Sequence, residues 1–481
     1  MISFIVSIGV LIAGYFLYGN FIERVFKADP DRSTPAYRLR DHVDFVPLPA
    51  WKAFLIQFLN IAGLGPIFGA ISGAMFGPSA FLWIVLGCIF GGAVHDYFSG
   101  MLSVRHNGLS ISEVVGIYLG DHTKQAIRLF TVVLLVFVGT VFLVGPAKII
   151  DELTGNFADQ WMWVAIILIY YVLSTLLPID RLIGKLYPIF GLAMLIMALG
   201  LLIALLSGQY AIPEVTFSNL HNMTENPEKT PLFPILFVTI ACGAVSGFHA
   251  TQSPMISRCV ANESQGKPIF FGAMITEGIV ALIWAAAAMV FMDNVEGLNA
   301  AMAANHNNAA WAANEIVTAM LGSTGGILAL IGIVAAPITS GDTAFRSARL
   351  VIADTFSLKQ DSIRKRLYIS SPLFIIAFLL TLVDFGIIWR YFAWSNQSLA
   401  VVVLWTITAY LYYAGKCYWI SLVPAVFMTM VCTTYILIAP EGFELDNSIA
   451  YAGGAITTLC ITIVFRVYVR RKKTTFDINY V

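Results

Sequence analysis

Apolar segments of the length that crosses a bilayer, about 20 residues each, follow one another along the whole chain, and there are about thirteen of them. Hydrophobic residues make up 58% of the sequence and charged residues only 12%. A soluble domain carries roughly twice that share of charge. The sequence therefore excludes a soluble globular fold and predicts an all-α polytopic membrane protein. The predicted spans are residues 2–19, 51–76, 79–104, 126–147, 161–177, 186–207, 233–253, 269–291, 325–345, 369–388, 391–413, 417–438 and 449–469.

The basic residues indicate how these spans are oriented. If the N-terminus lies outside, all of the 28 Lys and Arg residues except Lys148, Lys229 and Arg390 fall on the cytoplasmic side. Cytoplasmic loops carry the excess of Lys and Arg, so this asymmetry supports both the number of spans and a cytoplasmic C-terminus. The first apolar segment has no basic residues before it, which predicts a retained helix and not a cleaved signal peptide.

Two spans are interrupted near mid-membrane by residues that disfavour a helix. The span at 51–76 contains "NIAGLGP", and the span at 233–253 runs into "ACGAVSGFHATQSP". Proline removes a backbone donor, and glycine costs about 1 kcal/mol relative to alanine in a helix. Because lipid cannot bond the freed backbone groups, a break at this depth must face protein or a polar cavity. We therefore predict a substrate site formed by Asn60, Gly63, Gly65, Pro66, Gly243, Ser246, Gly247, His249, Thr251, Gln252 and Ser253.

The positions of the two interruptions predict an internal repeat. Four predicted spans separate the broken ones, which run in opposite directions across the membrane. This arrangement is typical of inverted-repeat secondary transporters. We expect a five-plus-five, LeuT-like core with one extra helix before it and two after it. The predicted units are residues 1–50 (first helix and cytoplasmic loop), 51–208 (first repeat), 209–232 (extracellular loop), 233–413 (second repeat, with a surface helix near 299–320) and 414–481 (two helices and a basic tail).

Glycines recur at every fourth position of the first broken span, at Gly65, Gly69, Gly73 and Gly77. Small residues at this spacing leave one side of a helix without side chains, so another helix can approach closely. We call these four residues the glycine stripe and expect it to be a packing surface.

Polar and ionisable residues in other spans are candidates for ion coupling, because such residues are costly in lipid. Glu277 is a lone carboxylate in its span. The His95–Asp96 pair reads equally well as a proton relay and as a polar end of a helix. Two readings are open for the segment that contains Thr339, Ser340 and Asp342: a helix cap with its turn, or an ion site. The ion-coupling candidates are His95, Asp96, Glu277, Thr339, Ser340 and Asp342, and an Na⁺ site would use Ala62, Gly63, Thr339 and Ser340.

Other classes of function have weaker support. There is no GxxxxGK[ST] sequence, so neither nucleotide binding nor nucleotide drive is indicated, and nothing indicates nucleic acid. The six cysteines show no metal-binding spacing. An intramembrane hydrolase using Ser246 and His249 would lack a third group to orient the base. A passive channel would not need an inverted pair of broken helices. The sequence favours an alternating-access symporter for a small anionic or zwitterionic solute.

Six stretches between Trp51 and Ala400 contain most of these polar and glycine residues: "QFLNIAGLGPIFGAISGAMFGPSAFLWIVLG", "GGAVHDYFSGMLSVRHNG", "ACGAVSGFHATQSP", "GAMITEGIVALIWAAAA", "PITSGDTAFRSARL" and "IWRYFAWSNQSLA". In these stretches the chain resembles the carbon starvation protein A (CstA) family, in particular a short branch of it. The resemblance implies a bacterial inner-membrane transporter related to the amino acid–polyamine–organocation superfamily.

The resemblance also implies uptake of peptides or of a pyruvate-like carboxylate during nutrient starvation, coupled to H⁺ more readily than to Na⁺. We expect a small-molecule substrate and the lipid bilayer as partners, with no cofactor and no catalytic residues. The segment "HATQSP" differs from the Ser-Ser-Gly-Thr type of sequence in the longer branch. The substrate, the stoichiometry and the oligomeric state therefore stay open.

Overall fold

The structure is a computed structural model, and it describes residues 1–41, 44–154, 159–175, 179–208, 210–358, 360 and 362–473. Its helices are, in chain order, α1 (Ile2–Phe26), α2 (Pro35–Arg38), α3 (Ala50–Ile61), α4 (Gly65–Ala74), α5 (Ser79–Arg105), α6 (Ile111–Leu119), α7 (Asp121–Leu153), α8 (Gln160–Ser174), α9 (Ile179–Ser207), α10 (Leu232–Thr239), α11 (Gly247–Ser257), α12 (Glu263–Phe291), α13 (Val295–Ala304), α14 (Ala309–Ala329), α15 (Ala335–Thr355), α16 (Ile363–Leu380), α17 (Phe385–Tyr413), α18 (Trp419–Ile438) and α19 (Asn447–Lys473).

The lengths and compositions of these helices confirm the predicted class. Among the described residues, seven helices are long and apolar enough to cross a membrane, or eight if α3 and α4 form one bent span. Apolar side chains face outward from them, as on Leu17 of α1 and Ile456 of α19, which are 76% and 64% exposed. The protein is therefore an all-α polytopic membrane protein. The larger number of spans, the predicted units and the inverted repeat stay predictions.

The first interruption lies between α3 and α4. Helix α3 ends at Ile61, residues 62–64 are not helical, and the two helices meet at an angle of 55°. Helix α4 begins with a π-helical turn, Gly65–Gly69, and Pro66 lies at its start. Proline is tolerated there because the first N–H groups of a helix have no partner within it. The sequence "NIAGLGP" thus breaks the helix before its proline.

The second interruption is longer and has a fixed shape. Helix α10 ends at Thr239 and α11 begins at Gly247, so residues 240–246 leave the helix. Gly243 has a φ angle of 91°, which residues with a side chain rarely adopt. A Cβ atom at this position would lie 2.5 Å from the Cβ of Ala281 in α12. The indole Nε1 of Trp83 donates a hydrogen bond of 2.9 Å to the carbonyl of Ile240.

The glycine stripe brings the two broken spans into contact. A Cβ on Gly65 would collide with Cys242, and one on Gly69 would lie 2.9 Å from the carbonyl oxygen of Thr239. Further along, a Cβ on Gly73 would collide with Ile240. The bare side of α4 therefore lies directly against the end of α10 and the unwound residues that follow it.

Helix α5 passes the same unwound residues and carries two of the candidate site residues. It contains a π-helical segment, Gly87–Gly92. A side chain on Gly92 would collide with the carbonyl oxygen of Ala244, so this segment packs against the second break. His95 and Asp96 follow within the next turn and are fully buried.

The predicted surface helix near 299–320 is divided in two, α13 and α14. His306 and Asn307 have positive φ angles of 54° and 55°, which end the first helix. The side chain of Asn308 accepts a hydrogen bond of 3.0 Å from the backbone N–H of Ala310 and caps the second. The asparagines of this segment act as turn and cap residues, because their side chains compete with the helix for backbone groups.

The span expected at 369–388 also has different bounds. Helix α16 ends at Leu380, and α17 starts at Phe385. Between them, Asp384 accepts a hydrogen bond of 3.2 Å from the backbone N–H of Ile387 and is the N-cap of α17. Asp384 therefore has a structural role at a helix end.

Candidate functional site

Four ionisable side chains form a continuous line beside the second break. His95 Nδ1 and His249 Nδ1 each lie 2.8 Å from one oxygen of the Asp96 carboxylate. On its other side, His249 Nε2 lies 3.5 Å from Glu277 Oε2. All four side chains are fully buried. Because an ionised carboxylate only accepts hydrogen bonds, Asp96 orients both imidazole rings through their Nδ1–H groups and directs Nε2 of His249 towards Glu277.

Cys242, in the unwound segment, lies next to this line. The thiol sulfur of Cys242, a ring nitrogen of His249 and a carboxylate oxygen of Glu277 are all within 4.8 Å of one another, and the three side chains are buried. In the described part of the chain, neither Nε2 of His249 nor either carboxylate oxygen of Glu277 has a hydrogen-bond partner. Burial of such groups without hydrogen bonds is unfavourable, so these atoms are available to an ion or a ligand.

Asn396 of α17 holds the start of α11. Its Oδ1 accepts a hydrogen bond of 2.6 Å from the backbone N–H of Phe248, and its Nδ2 donates one of 3.1 Å to Ser246 Oγ. Ser246 is in the N-cap position, but its own side chain does not cap the helix. A side chain from a distant span therefore supplies the acceptor that a cap residue normally provides. Ser246 Oγ also accepts a hydrogen bond of 3.6 Å from Cys242 Sγ, so the thiol next to His249 connects it to this cap.

The other polar residues of α11 are mostly satisfied locally. Thr251 Oγ1 donates to the carbonyl of Phe248 at 2.6 Å, and Ser253 Oγ donates to the carbonyl of His249 at 3.0 Å. Hydroxyl groups in helices often bond their own backbone in this way. Gln252 Nε2 donates to Thr251 Oγ1 at 2.9 Å, whereas its Oε1 has no partner among the described residues.

The first break contributes two buried amides with no partner. Gln57 and Asn60 lie one turn apart on α3, and in the described structure neither the nitrogen nor the oxygen of either side-chain amide is hydrogen-bonded. A buried polar group left without a partner costs about 1–3 kcal/mol. A Cβ on the nearby Gly63 would lie 2.9 Å from Phe142 Cζ and 3.2 Å from Ser340 Oγ. These amides are the clearest sign of a polar ligand at the first break.

The ninth predicted span, α15, touches the first break through Ser340. Its Oγ lies 3.1 Å from the carbonyl oxygen of Leu59 and 3.0 Å from that of Ala336. Thr339 Oγ1 instead donates to its own helix, at the carbonyl of Ala336. Tyr187 donates its hydroxyl to Asp342 Oδ2 at 2.9 Å. The segment is helical and buried, so the alternative of a cap and turn at this point is wrong: the helix continues to Thr355.

The predicted ion-coupling residues thus fall into two groups. His95, Asp96 and Glu277 come together with His249 at the second break, although three different helices supply these four side chains. Thr339, Ser340 and Asp342 lie on α15, where Ser340 touches the end of α3.

Sequence reasoning did not select four residues that the structure brings to the breaks. Gln57 and Asn396 could have been found as amides inside apolar spans, which are costly there. Nothing in the sequence indicates a functional role for Cys242 or Phe142, because buried cysteines and aromatic residues are common in spans.

The helices, the two helix breaks and the buried polar groups beside them define a polytopic membrane protein with a fold known from transporters. A crystal structure of a manganese transporter from Eremococcus coleocola, in complex with an aromatic bis-isothiourea substituted compound, matches with a TM-score of 0.56. The match covers 91% of this chain and 99% of that protein at 13% sequence identity, so it concerns the fold. The chain belongs to the carbon starvation protein CstA family, whose sequence profile matches residues 1–153 and 146–329.

Relatives of the chain include one uncharacterized protein and two with named functions. An uncharacterized membrane protein of Haemophilus influenzae is 41% identical over 63% of this chain and 95% of its own length. The peptide transporter CstA of Bacillus subtilis is 27% identical over 83% of each chain. The pyruvate/proton symporter BtsT of Escherichia coli is 29% identical over 60% of this chain, and the match spans 48% of BtsT.

Proposed function

We propose that this protein is an ion-coupled secondary active transporter that imports a small organic solute across the bacterial inner membrane by alternating access. The observation that carries this proposal is the direct contact between the two breaks, where Gly65 and Gly69 meet Cys242 and Thr239. Paired broken helices are a recurring way to build a solute site at the membrane midplane. Just before the first break lie the amides of Gln57 and Asn60, which have no hydrogen-bond partner among the described residues.

The proposed substrate is a pyruvate-like carboxylate or a short peptide. The functions named for the relatives in Bacillus subtilis and Escherichia coli support this choice. Both solutes carry a carboxylate, which is attracted by the positive end of a helix dipole, and α11 starts at Gly247 next to the break. The amides of Gln57 and Asn60 can both donate and accept, as the carbonyl and amide groups of such solutes require.

The proposed coupling ion is H⁺ rather than Na⁺, as in the relative named as a pyruvate/proton symporter. On this chain we assign the proton to Asp342. Tyr187 binds one of its oxygens, while Oδ1 has no hydrogen-bond partner in the described part of the protein. Carboxylates inside a membrane often belong to an ion path. His95, Asp96 and Glu277 stay candidates for the same role, and Ala62, Gly63, Thr339 and Ser340 remain the Na⁺ alternative.

The test is uptake of labelled pyruvate and of a labelled dipeptide into proteoliposomes under a proton gradient, a sodium gradient or neither. We expect saturable accumulation of one solute with the proton gradient. Flux that does not depend on either gradient would favour a passive channel, and conversion of the solute to products would favour an enzyme. No uptake in vesicles that hold folded protein would contradict the proposed substrates.

The variant Asp342→Asn separates coupling from binding. It should lose gradient-driven accumulation but retain exchange of labelled for unlabelled solute, because exchange needs no net proton movement. Asp384→Asn is the matched control, since Asp384 caps α17 and asparagine is an equally good cap. Normal gradient-driven accumulation by Asp342→Asn would remove Asp342 from the coupling mechanism.

A further inference from the structure

Cys242, His249 and Glu277 combine a thiol, an imidazole and a carboxylate at one buried point. The atoms that could bind a metal ion lie within 4.8 Å of one another, and each of the three side chains is 0–3% exposed. Thiolate, imidazole and carboxylate are the ligands that zinc takes in proteins. We propose that these three residues bind one divalent transition-metal ion of the zinc type, between the two halves of the second broken span and α12.

Asp96 supplies the support that a metal-binding histidine needs. Histidine ligands usually give their second ring nitrogen to a carboxylate, which fixes the tautomer and the direction of the ring. Asp96 lies 2.8 Å from Nδ1 of His249, so Nε2 is the nitrogen left for an ion. Nδ1 of His95 lies 2.8 Å from the other oxygen of Asp96, and this contact holds the carboxylate in place.

The spacing of the free atoms fits a metal ion. With metal–ligand bonds of about 2.0–2.3 Å, the ligands of a tetrahedral site stand roughly 3.3–3.8 Å apart. His249 Nε2 and Glu277 Oε2 are 3.5 Å apart without a hydrogen bond between them. An ion placed there would bond the same atoms of His249 and Glu277 that have no hydrogen-bond partner among the described residues. The thiol of Cys242 lies within 4.8 Å of both atoms and donates to Ser246 Oγ at 3.6 Å, a bond that it gives up when it joins them.

Charge balance also favours a divalent ion. The positive charge of the ion equals the combined negative charge of the Cys242 thiolate and the Glu277 carboxylate, so the ion and its three ligands are neutral together. The remaining carboxylate, Asp96, is hydrogen-bonded by two imidazole rings. This balance avoids a net charge on the metal centre itself, which would be costly in the membrane interior. The thiol proton of Cys242 is released to water when the metal–sulfur bond forms, because only the thiolate is a ligand. Three protein ligands leave one coordination position open.

The position of the ligands gives the ion a mechanical effect. Cys242 lies before the start of α11 and His249 lies within it. An ion bound to both would join the unwound segment to the second half-helix and tie both to α12. We therefore expect bound metal to raise the unfolding temperature of the protein and to oppose movement at the second break.

The first experiment uses Co²⁺ as the probe, titrated into the purified full-length protein in the absence of transport substrate. Wild type should bind one ion per chain and show a thiolate-to-cobalt charge-transfer band. Cys242→Ser should abolish the band, and Asp96→Asn should weaken binding about 10–100-fold through loss of support for His249. Cys88→Ser is the matched control: its buried thiol donates to the carbonyl of Met274 at 3.3 Å and is outside the ligand group, so the band should persist.

A second measurement needs no variant and so does not depend on how well a mutant folds. X-ray absorption of the Zn²⁺-loaded wild type should show one sulfur neighbour at about 2.3 Å and lighter atoms at about 2.0–2.1 Å. A shell of nitrogen and oxygen alone, a band that survives Cys242→Ser, or no binding to folded wild type would each overturn the proposal. These readouts involve no solute flux, so they are independent of the transport proposal.

Discussion

The two helix breaks differ in what holds each of them open. At the first, residues 62–64 interrupt the helix, and the amides of Gln57 and Asn60 just before them are buried without partners in the described structure. At the second, residues 240–246 are unwound, and side chains from other helices bond the surrounding groups. Trp83 binds the carbonyl of Ile240, and Asn396 binds the N–H of Phe248.

This difference suggests a division of roles. At the second break the groups that hold the backbone are already hydrogen-bonded, so a change to Trp83 or Asn396 should damage the fold as well as the site. The first break leaves polar groups unused, so a change there should affect ligand binding with little effect on folding.

The largest effect is expected where the two breaks touch. Gly69→Leu places a side chain against the carbonyl of Thr239, and a backbone atom cannot easily move away. Overpacking of this kind costs about 1–3 kcal/mol or more, so the yield of folded protein should fall sharply. Gly9→Leu is the control, because a Cβ on Gly9 has nothing within 4 Å. Gel-filtration yield measures both, and equal yields would contradict the close contact of the two spans.

A smaller but still structural effect is expected at the second break. Asn396→Ala leaves the N–H of Phe248 buried without an acceptor, which should lower the free energy of unfolding by about 1–3 kcal/mol and abolish uptake. Asn299→Ala removes an equally buried amide that binds the carbonyl of Met75 at 3.1 Å, away from the breaks. It should lose similar stability in a thermal melt but keep its KM for uptake. A normal KM in Asn396→Ala would mean that α11 does not contribute to the solute site.

At the first break the expected effect is on binding alone. Gln57→Leu and Asn60→Leu replace amides that have no hydrogen bonds in the described protein, so the melting temperature should stay the same or rise. Each amide that bonds the solute is worth about 1.4 kcal/mol or more, so KM for uptake should increase about tenfold or more. Lower stability with an unchanged KM would reverse the proposed division of roles.

The smallest effect is expected for a polar residue of α11 that bonds its own helix. Ser253→Ala removes a hydroxyl that donates to the carbonyl of His249 and lies 3.3 Å from Ser99 Oγ, which can still donate to the carbonyl of Asp96. Because that carbonyl can keep its helical partner, stability should change by no more than about 0.5 kcal/mol and KM should stay within twofold. A large increase in KM in the same uptake assay would make Ser253 a direct ligand.

Local sequence was sufficient to locate the breaks but not their partners. Glycine, proline and asparagine disfavour a helix wherever they stand, so two interruptions could be predicted. The first, expected at 60–66, lies at 62–64. The second was expected at 243–253 but lies at 240–246, and residues 247–253 are helical. The pairing of Asp96 with His249 could not, because it depends on how α5 and α11 pack. The same applies to Asn396, whose cap acts across 148 positions of the chain.

The limits of prediction at helix ends have a related cause. Asp384 and the asparagines before α14 have side chains that can bond backbone groups, and composition alone does not say which end they cap. Hydropathy is averaged over a window, so it places a span but does not fix its last residue. The prediction therefore merges two surface helices into one, and its span at 369–388 runs across the boundary between α16 and α17.

The π-helical segment Gly87–Gly92 lets α5 tolerate a change in length. A wide turn accommodates one residue more than an α-turn, so loss of one glycine from this segment would restore an ordinary helix without shortening any loop. Because the wide turn takes up the extra residue, His95 and Asp96 would still face α11. The same loss from a helix without a wide turn would rotate all later side chains by about 100°. A one-residue gap in this segment would therefore leave the support of His249 in place.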